Sequence, residues 1–146
     1  MLSLSLMQTE LIEYGKFSPN GRWVAYESAE TGTVEVYVRE FQGSGRRWQV
    51  SAGGGLWPDW RRDGKELFYL SGGKLMAVDV KASDSSFEPG VPKLLFERGL
   101  DSSSAVSTHS FAVSGDGQRF LIPVPVEELS SAPITVVMNW PADLKR

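Results

Sequence analysis

The chain repeats one short pattern three times, and this repetition constrains its fold more than any other feature. The copies read FSPNGRWVAY from Phe17, WRRDGKELFY from Trp60 and VSGDGQRFLI from Val113. In each copy a large apolar residue leads into an Asn-Gly or Asp-Gly pair, and an apolar-rich segment follows. This is the pattern of a β-hairpin, in which glycine supplies the positive φ that a tight turn requires. The sequence therefore predicts three related hairpins.

The spacing of the copies predicts a repeat of four-stranded sheets. Phe17 and Trp60 are 43 residues apart, and Trp60 and Val113 are 53 residues apart. A period of about 40–50 residues is typical of one blade of a β-propeller. We assign the additional residues of the second interval to two Ser-, Gly- and Pro-rich connections, KASDSSFEPG and GLDSSSAVST, because added loop length costs little free energy.

Segments rich in Val, Tyr, Phe and Leu supply the remaining strands. They are Val34–Phe41, Arg47–Ser51, Lys74–Val80, Lys93–Glu97 and Ile134–Trp140. Alternating leucines near the start of the chain predict a further strand over residues 2–8, and no window has a convincing helical period with caps. We expect a single all-β domain over residues 1–146, a β-propeller fragment of about three four-stranded blades.

The hairpin pattern resembles the TolB-type propeller repeat, in which an aromatic residue precedes Ser-Pro-Asp-Gly, a basic residue and a strand ending in Tyr. FSPNGRWVAY matches it closely, whereas the second copy lacks Ser-Pro and the third diverges further. Residues 8–146 also resemble the C-terminal propeller blades appended to certain bacterial serine/threonine protein kinases, and SAPITVV before Asn139-Trp140 is part of that likeness. The sequence has none of the kinase motifs. The resemblance therefore implies the propeller fold and not the kinase activity.

The resemblance also implies self-association. Propellers of this type have six or more blades in a closed ring, because an open fan exposes an apolar sheet face at each end. We expect a two-fold homodimer in which each chain supplies half of a six-bladed ring. Residues 2–8 of one chain would then lie beside Ile134–Trp140 of the other. The predicted interface residues are Leu2, Leu4, Leu6, Ile134, Val136 and Met138.

Composition narrows the function mainly by exclusion. A net charge of −3 gives no basic surface for nucleic acid. No apolar run is long enough to predict a membrane-spanning helix, and the opening MLSLSLM lacks the basic region of a signal peptide. With no cysteine, the sequence leaves the compartment open. We expect a cytoplasmic protein if the chain is expressed as it stands, and an extracytoplasmic one if it belongs to a longer receptor-like protein.

No set of residues predicts catalysis or metal binding. His109 is the only histidine, so neither a multi-histidine metal centre nor a recognisable catalytic triad can be built. Asp63 and Asp116 are typical of turns, since a calcium loop needs several oxygen ligands within about a dozen residues. We therefore predict no catalytic residue, no metal and no cofactor.

GGGLWPDWRRDG is the segment most typical of a binding surface, because aromatic and arginine side chains often anchor partners. We predict that it lies at the mouth of the propeller channel. The candidate ligand-binding residues are Trp57, Asp59, Arg61, Arg62 and the distant His109. Trp60 occupies a repeat position and is expected instead to pack between neighbouring blades.

These features favour a non-enzymatic binding scaffold that presents its channel mouth to a peptide, a protein or a small ligand. Two alternatives stay open. One is a propeller-type hydrolase or lyase whose site forms only in the closed ring, and the other is a non-functional gene fragment that folds by self-association. Turnover in a hydrolase panel would favour the first alternative, and ligand-dependent thermal shifts would argue against the second.

Overall fold

The computed structural model describes residues 12–43, 45–83, 86–97 and 111–122. These residues form antiparallel sheets of four, five and two strands, with no helix among them. The first sheet contains β1 (Ile12–Phe17), β2 (Trp23–Ser28), β3 (Glu35–Glu40) and β4 (Arg47–Gln49), in that order. The second contains β5 (Leu56–Trp60), β6 (Glu66–Ser71), β7 (Lys74–Ala82), β8 (Phe87–Pro89) and β9 (Lys93–Glu97). The third pairs β10 (Ala112–Val113) with β11 (Phe120–Leu121).

The strands predicted between residues 34 and 97 are confirmed. β9 has the predicted bounds, β3 and β4 lie within their predicted segments, and β7 continues two residues beyond Val80. The strands predicted over residues 2–8 and Ile134–Trp140 lie outside the described residues. The same is true of the interface candidates Leu2, Leu4, Leu6, Ile134, Val136 and Met138.

The connection KASDSSFEPG is not only a loop, and in this respect the sequence-based expectation was wrong. Its first two residues extend β7, and Phe87–Pro89 form β8, which pairs with the end of β7. Because β9 pairs with the beginning of β7, this long strand has two short partners, one beside each half. The ring of Phe87 contacts Trp23, Trp48 and Trp60. Burial of this one ring explains why a polar connection is drawn into the sheet.

Two apolar cores separate the three sheets. The first combines residues of the first and second sheets, namely Trp23, Ala25, Val36, Val38, Val50, Trp60, Leu67, Tyr69, Val78, Val80 and Phe87. The second joins the second sheet to the third and contains Phe68, Leu70, Leu75, Ala77 and Phe111. Successive residues of a strand point to opposite faces, so β6 places alternate side chains in the two cores. The second sheet is therefore buried on both sides.

Candidate functional site

The three repeated hairpins share one turn geometry. Gly21, Gly64 and Gly117 have φ angles of 70°, 72° and 71°. In each turn the glycine N–H donates to the carbonyl three residues earlier, at 2.8 Å in every copy. Glycine is needed here because this left-handed conformation strains residues that carry a Cβ atom. The predicted hairpin repeat is confirmed in all three copies.

Neutral groups brace the first turn. The Ser18 hydroxyl donates to Asn20 Oδ1 at 2.7 Å, and the Arg22 N–H donates to the same oxygen at 3.0 Å. Ser18 Oγ also accepts a hydrogen bond from the buried N–H of Trp23 at 2.9 Å. The third turn repeats this pattern, with Ser114 and Asp116 in the places of Ser18 and Asn20.

Charged groups brace the second turn. Arg61 replaces the serine, and its guanidinium donates to both carboxylate oxygens of Asp63 at 2.8 Å and to Glu66 at 2.9 Å. The hydrogen bonds from Arg61 hold the pKa of Asp63 at about 2, below its ordinary value of 3.8. The same bonds raise the pKa of Arg61. Arg61, Asp63 and Glu66 thus form a cluster of ion pairs where the first turn has hydroxyl and amide groups.

Consecutive turns also touch one another. Gly64 of the second turn lies beside Pro19 of the first, where an added Cβ atom would be 3.6 Å from the Pro19 ring. In the same way, Gly117 of the third turn lies against the Arg61 side chain. The Arg62 N–H completes this second junction by donating to the carbonyl of Gly115 at 3.3 Å. The turns are thus stacked in chain order along one edge of the molecule.

The structure separates the predicted binding residues into two groups. Arg61 and Arg62 belong to the stacked turns, and Arg61 is already paired with two carboxylates. Trp57 lies near the opposite end of β5, about 13 Å away at the usual rise of about 3.3 Å per residue. The arginines and Trp57 thus lie at opposite ends of β5, and His109 lies outside the described residues.

Trp57 sits in a backbone irregularity that recurs in the repeat. Its φ is 53°, and the register of β5 with β6 shifts at this point. Tyr14, at the equivalent place in β1, has a φ of 39° in a matching irregularity. The Trp57 N–H donates to the buried carboxylate of Glu27, and its half-buried ring packs against the second core. These contacts give Trp57 a structural role.

Asp59 and Trp60 tie β5 to β1. Asp59 forms an ion pair with Lys16 at 3.5 Å, in which both side chains are partly exposed. Trp60 is buried between the first two sheets, and its indole N–H donates to the carbonyl of Lys16 at 3.1 Å. Trp60 therefore packs between sheets as the sequence predicted.

A buried carboxylate also fixes the connection between the first two sheets. Glu35 accepts hydrogen bonds at 2.9 Å from the N–H groups of Gly53 and Gly54, and the Ser51 hydroxyl donates to it as well. Burial, reinforced by the charge of Glu35, raises the pKa of Tyr69 to about 12. With three donors on its carboxylate, Glu35 holds the connection in place and has the contacts of a structural residue.

The first two stacked turns and the end of β7 enclose an open cleft of about 580 Å³, which we call the turn cleft. Its lining residues are Ser18, Pro19, Asn20, Trp23, Asp63, Gly64, Lys65, Val80, Lys81 and Ala82. Small-molecule sites usually have volumes of about 300–1,000 Å³ and combine apolar walls with a few polar groups. The turn cleft lies within this volume range, with Trp23 and Val80 in its wall and two lysines along it.

Some polar groups that line the turn cleft lack ion-pair or hydrogen-bond partners within the described residues. Lys16, Lys74 and Lys93 each pair with a carboxylate, whereas Lys65 and Lys81 form no ion pair within the described part of the chain. The indole N–H of Trp23 is buried and has no hydrogen-bond partner among the described residues. An unpaired buried donor costs about 1–3 kcal/mol. The lining of the turn cleft thus includes two lysines without ion-pair partners in the described residues and a tryptophan whose indole N–H is unpaired there.

Sequence reasoning missed the turn cleft because its residues come from three separate segments. Lys65 belongs to the repeat pattern, but Lys81 lies in the connection that was expected to be a loop. The sequence does place one lysine of the turn cleft beside a turn, since Lys65 directly follows the turn glycine Gly64. Nothing in the sequence, however, brings the end of β7 beside the first turn.

No protein-family model matches this chain, and no curated protein matches it. Within the described ranges, no group of three or more His, Cys, Asp or Glu side chains could hold a metal ion. Those ranges also contain no helix long and apolar enough to span a membrane.

Proposed function

We propose that this chain is a non-enzymatic binding scaffold of the β-propeller type, built from TolB-like repeats. Two copies of the chain would close a six-bladed ring, and the surfaces formed by repeated turns and strands would receive a ligand. Fold alone does not choose the ligand, so the proposal concerns a mode of binding and not a named partner.

The stacking of the repeats supports a propeller. Three hairpins with the same turn geometry follow one another in chain order, and each consecutive pair shares a core and a contact between turns. The first strands β1 and β5 are also adjacent, joined by the pair Lys16–Asp59. Sheets that repeat side by side with their first strands adjacent are the expected arrangement of blades around an axis.

One contrast between equivalent residues supports self-association and carries the proposal. Phe17 and Trp60 occupy the same repeat position, directly before the turn. Trp60 is 6% exposed because the first sheet covers it, whereas Phe17 is 55% exposed and contacts the ring of Phe41. A sheet placed before the first one would cover Phe17 as the first sheet covers Trp60. A second copy of the chain would supply that sheet.

Light scattering coupled to size exclusion, at micromolar concentration, tests ring closure. We expect a dimer, and we expect Phe17→Asp to shift it toward monomer, because the charge would be placed in the proposed interface. Val91→Asp is the matched control, since Val91 is 80% exposed and lies in the connection before β9. A stable wild-type monomer, or equal effects of the two variants, would contradict the closed ring.

Thermal-shift measurements over metabolites and peptides test the binding function. We expect at least one ligand class to raise the melting temperature, because a ligand that binds only the folded state stabilises it. Turnover in a panel of hydrolase and lyase substrates would contradict a non-enzymatic scaffold. The absence of any ligand-dependent shift would instead favour a non-functional fragment.

A further inference from the structure

We propose that the turn cleft binds a small organic anion that carries a carboxylate on an apolar body. This inference rests on the proposed binding function and specifies both the place and the ligand class. The candidate channel residues Trp57 and Asp59 are not part of this site.

The charge pattern of the lysines points to an anion. Of the five lysines in the described residues, the three outside the turn cleft have carboxylate partners, and the two that line it do not. Asp63, the acidic residue of the lining, is committed to Arg61 by two hydrogen bonds. Apart from the Coulombic influence of Lys65 on Asp63, the positive charges of Lys65 and Lys81 have no partner within the described residues and can meet a ligand. A carboxylate meeting them would form charge-assisted hydrogen bonds.

The buried wall of the turn cleft points to the rest of the ligand. Trp23 is 2% exposed, and its indole N–H has no partner within the described residues. A carboxylate or carbonyl oxygen reaching this wall would give that donor an acceptor. Pro19, Val80 and Ala82 provide apolar lining beside it. The volume of about 580 Å³ suits a ligand with a ring or short alkyl chain next to its charged group.

Nitrogen-15 NMR of the full chain tests the site, because each of the five tryptophans contributes one indole N–H signal. The probes are 4-phenylbutyrate and its neutral counterpart 4-phenylbutanamide. The Trp23→Phe variant assigns the Trp23 signal. We expect the carboxylate to shift that signal, and we expect the amide to bind about tenfold more weakly because it lacks the charge.

Lysine variants locate the charge contacts. We expect Lys65→Gln and Lys81→Gln each to weaken 4-phenylbutyrate binding about fivefold. The matched controls are Lys74→Gln and Lys93→Gln, which remove lysines that already have partners and should change the affinity less than twofold. All four lysines are at the surface, so the variants should fold.

Three results would overturn the inference: no shift of the Trp23 signal, equal affinity for acid and amide, or equal effects of the cleft and control lysines. Thermal shifts that other ligands still produce in the Lys65→Gln, Lys81→Gln double variant would place binding elsewhere. The turn cleft would then be excluded while the proposed scaffold function stood. Failure of every ligand to stabilise the wild type would count against the scaffold function itself.

Discussion

The first and second turns have one backbone and two different chemistries. Gly21 and Gly64 have nearly identical φ angles, and both turns close with the same backbone hydrogen bonds. Around that backbone, the first turn uses the neutral groups of Ser18 and Asn20, whereas the second uses the ion pairs of Arg61. The backbone geometry is thus set by the glycine, and the side chains that brace it can be exchanged.

Because their side chains differ, the two turns depend on different interactions for their stability. The neutral turn relies on a hydroxyl that satisfies a buried N–H, and its strength should vary little with pH or salt. The charged turn relies on Arg61, which also keeps Glu66, a largely buried carboxylate, from lying unpaired. Removing the Arg61 guanidinium should therefore lower the free energy of unfolding more than removing the Ser18 hydroxyl.

The largest effect is expected from Arg61→Met, which keeps the side-chain stem and removes the guanidinium. We expect the free energy of unfolding to fall by about 2–3 kcal/mol, since Glu66 would lose its partner in a poorly hydrated place. Urea denaturation measures the change. Arg62→Met is the matched control and should stay within about 0.5 kcal/mol, because Arg62 is exposed. Equal losses would show that the ion pairs do not support the turn.

Alanine at the turn glycines separates backbone strain from contact between turns. Gly21→Ala should cost about 1 kcal/mol, because its φ is strained for alanine while, apart from its chain neighbours, no described residue places an atom within 4 Å of the new Cβ. Gly117→Ala should cost about 2 kcal/mol, since the same strain is joined by a 2.7 Å approach to Arg61 Cδ. Denaturant unfolding of both variants gives the difference. If Gly117→Ala is the milder of the two, the third turn does not stack on Arg61.

Removing the serine hydroxyls tests the two turns that serine braces. Ser18→Ala should cost about 1 kcal/mol, because the Trp23 N–H that Ser18 satisfies is buried. Ser114→Ala should cost about 0.5 kcal/mol, since water can replace the hydroxyl at the exposed N–H of Arg119. The comparison uses thermal or urea unfolding. A larger loss for Ser114→Ala would contradict the role assigned to burial.

The smallest expected effect is on how the free energy of unfolding changes at acidic pH. The folded pKa of Asp63, about 2, lies below its ordinary value of 3.8, so its ionised form adds stability above about pH 4. That contribution is lost as the pH falls from 4 toward 2. Because Asp63 is half exposed, we expect this contribution to the free energy of unfolding to be about 0.5 kcal/mol.

Asp63→Asn should remove that part of the acid dependence, and unfolding measured between pH 2 and 6 tests this. Asn20→Asp should add acid dependence to the first turn, as the lowered pKa of Asp116 beside Ser114 suggests. Parallel pH profiles for the wild type and Asp63→Asn would show that Asp63 contributes nothing.

Local patterns in the sequence were sufficient to predict the hairpins and most strands. Asn-Gly and Asp-Gly pairs identify their turns because the glycine conformation is a local requirement. β8 could not be predicted, since Phe87 is a lone aromatic in a polar connection and becomes buried only when three tryptophans from other strands surround it. The sequence also did not predict that the Arg61 side chain is covered. The groups that cover it are Glu66 and the third hairpin, and the fold alone brings that hairpin beside it.

The sequence by itself determined the repeat, the turn geometry and the all-β class, because these follow from glycine conformation and from alternation along a strand. Only the tertiary structure decided which equivalent residues are covered. Phe17 and Trp60 share a repeat position, yet the first is exposed and the second is buried. The physical reason is that burial depends on the neighbouring sheet, and a repeat does not encode whether it has a neighbour on each side. The turn cleft likewise exists only because β7 ends beside two stacked turns.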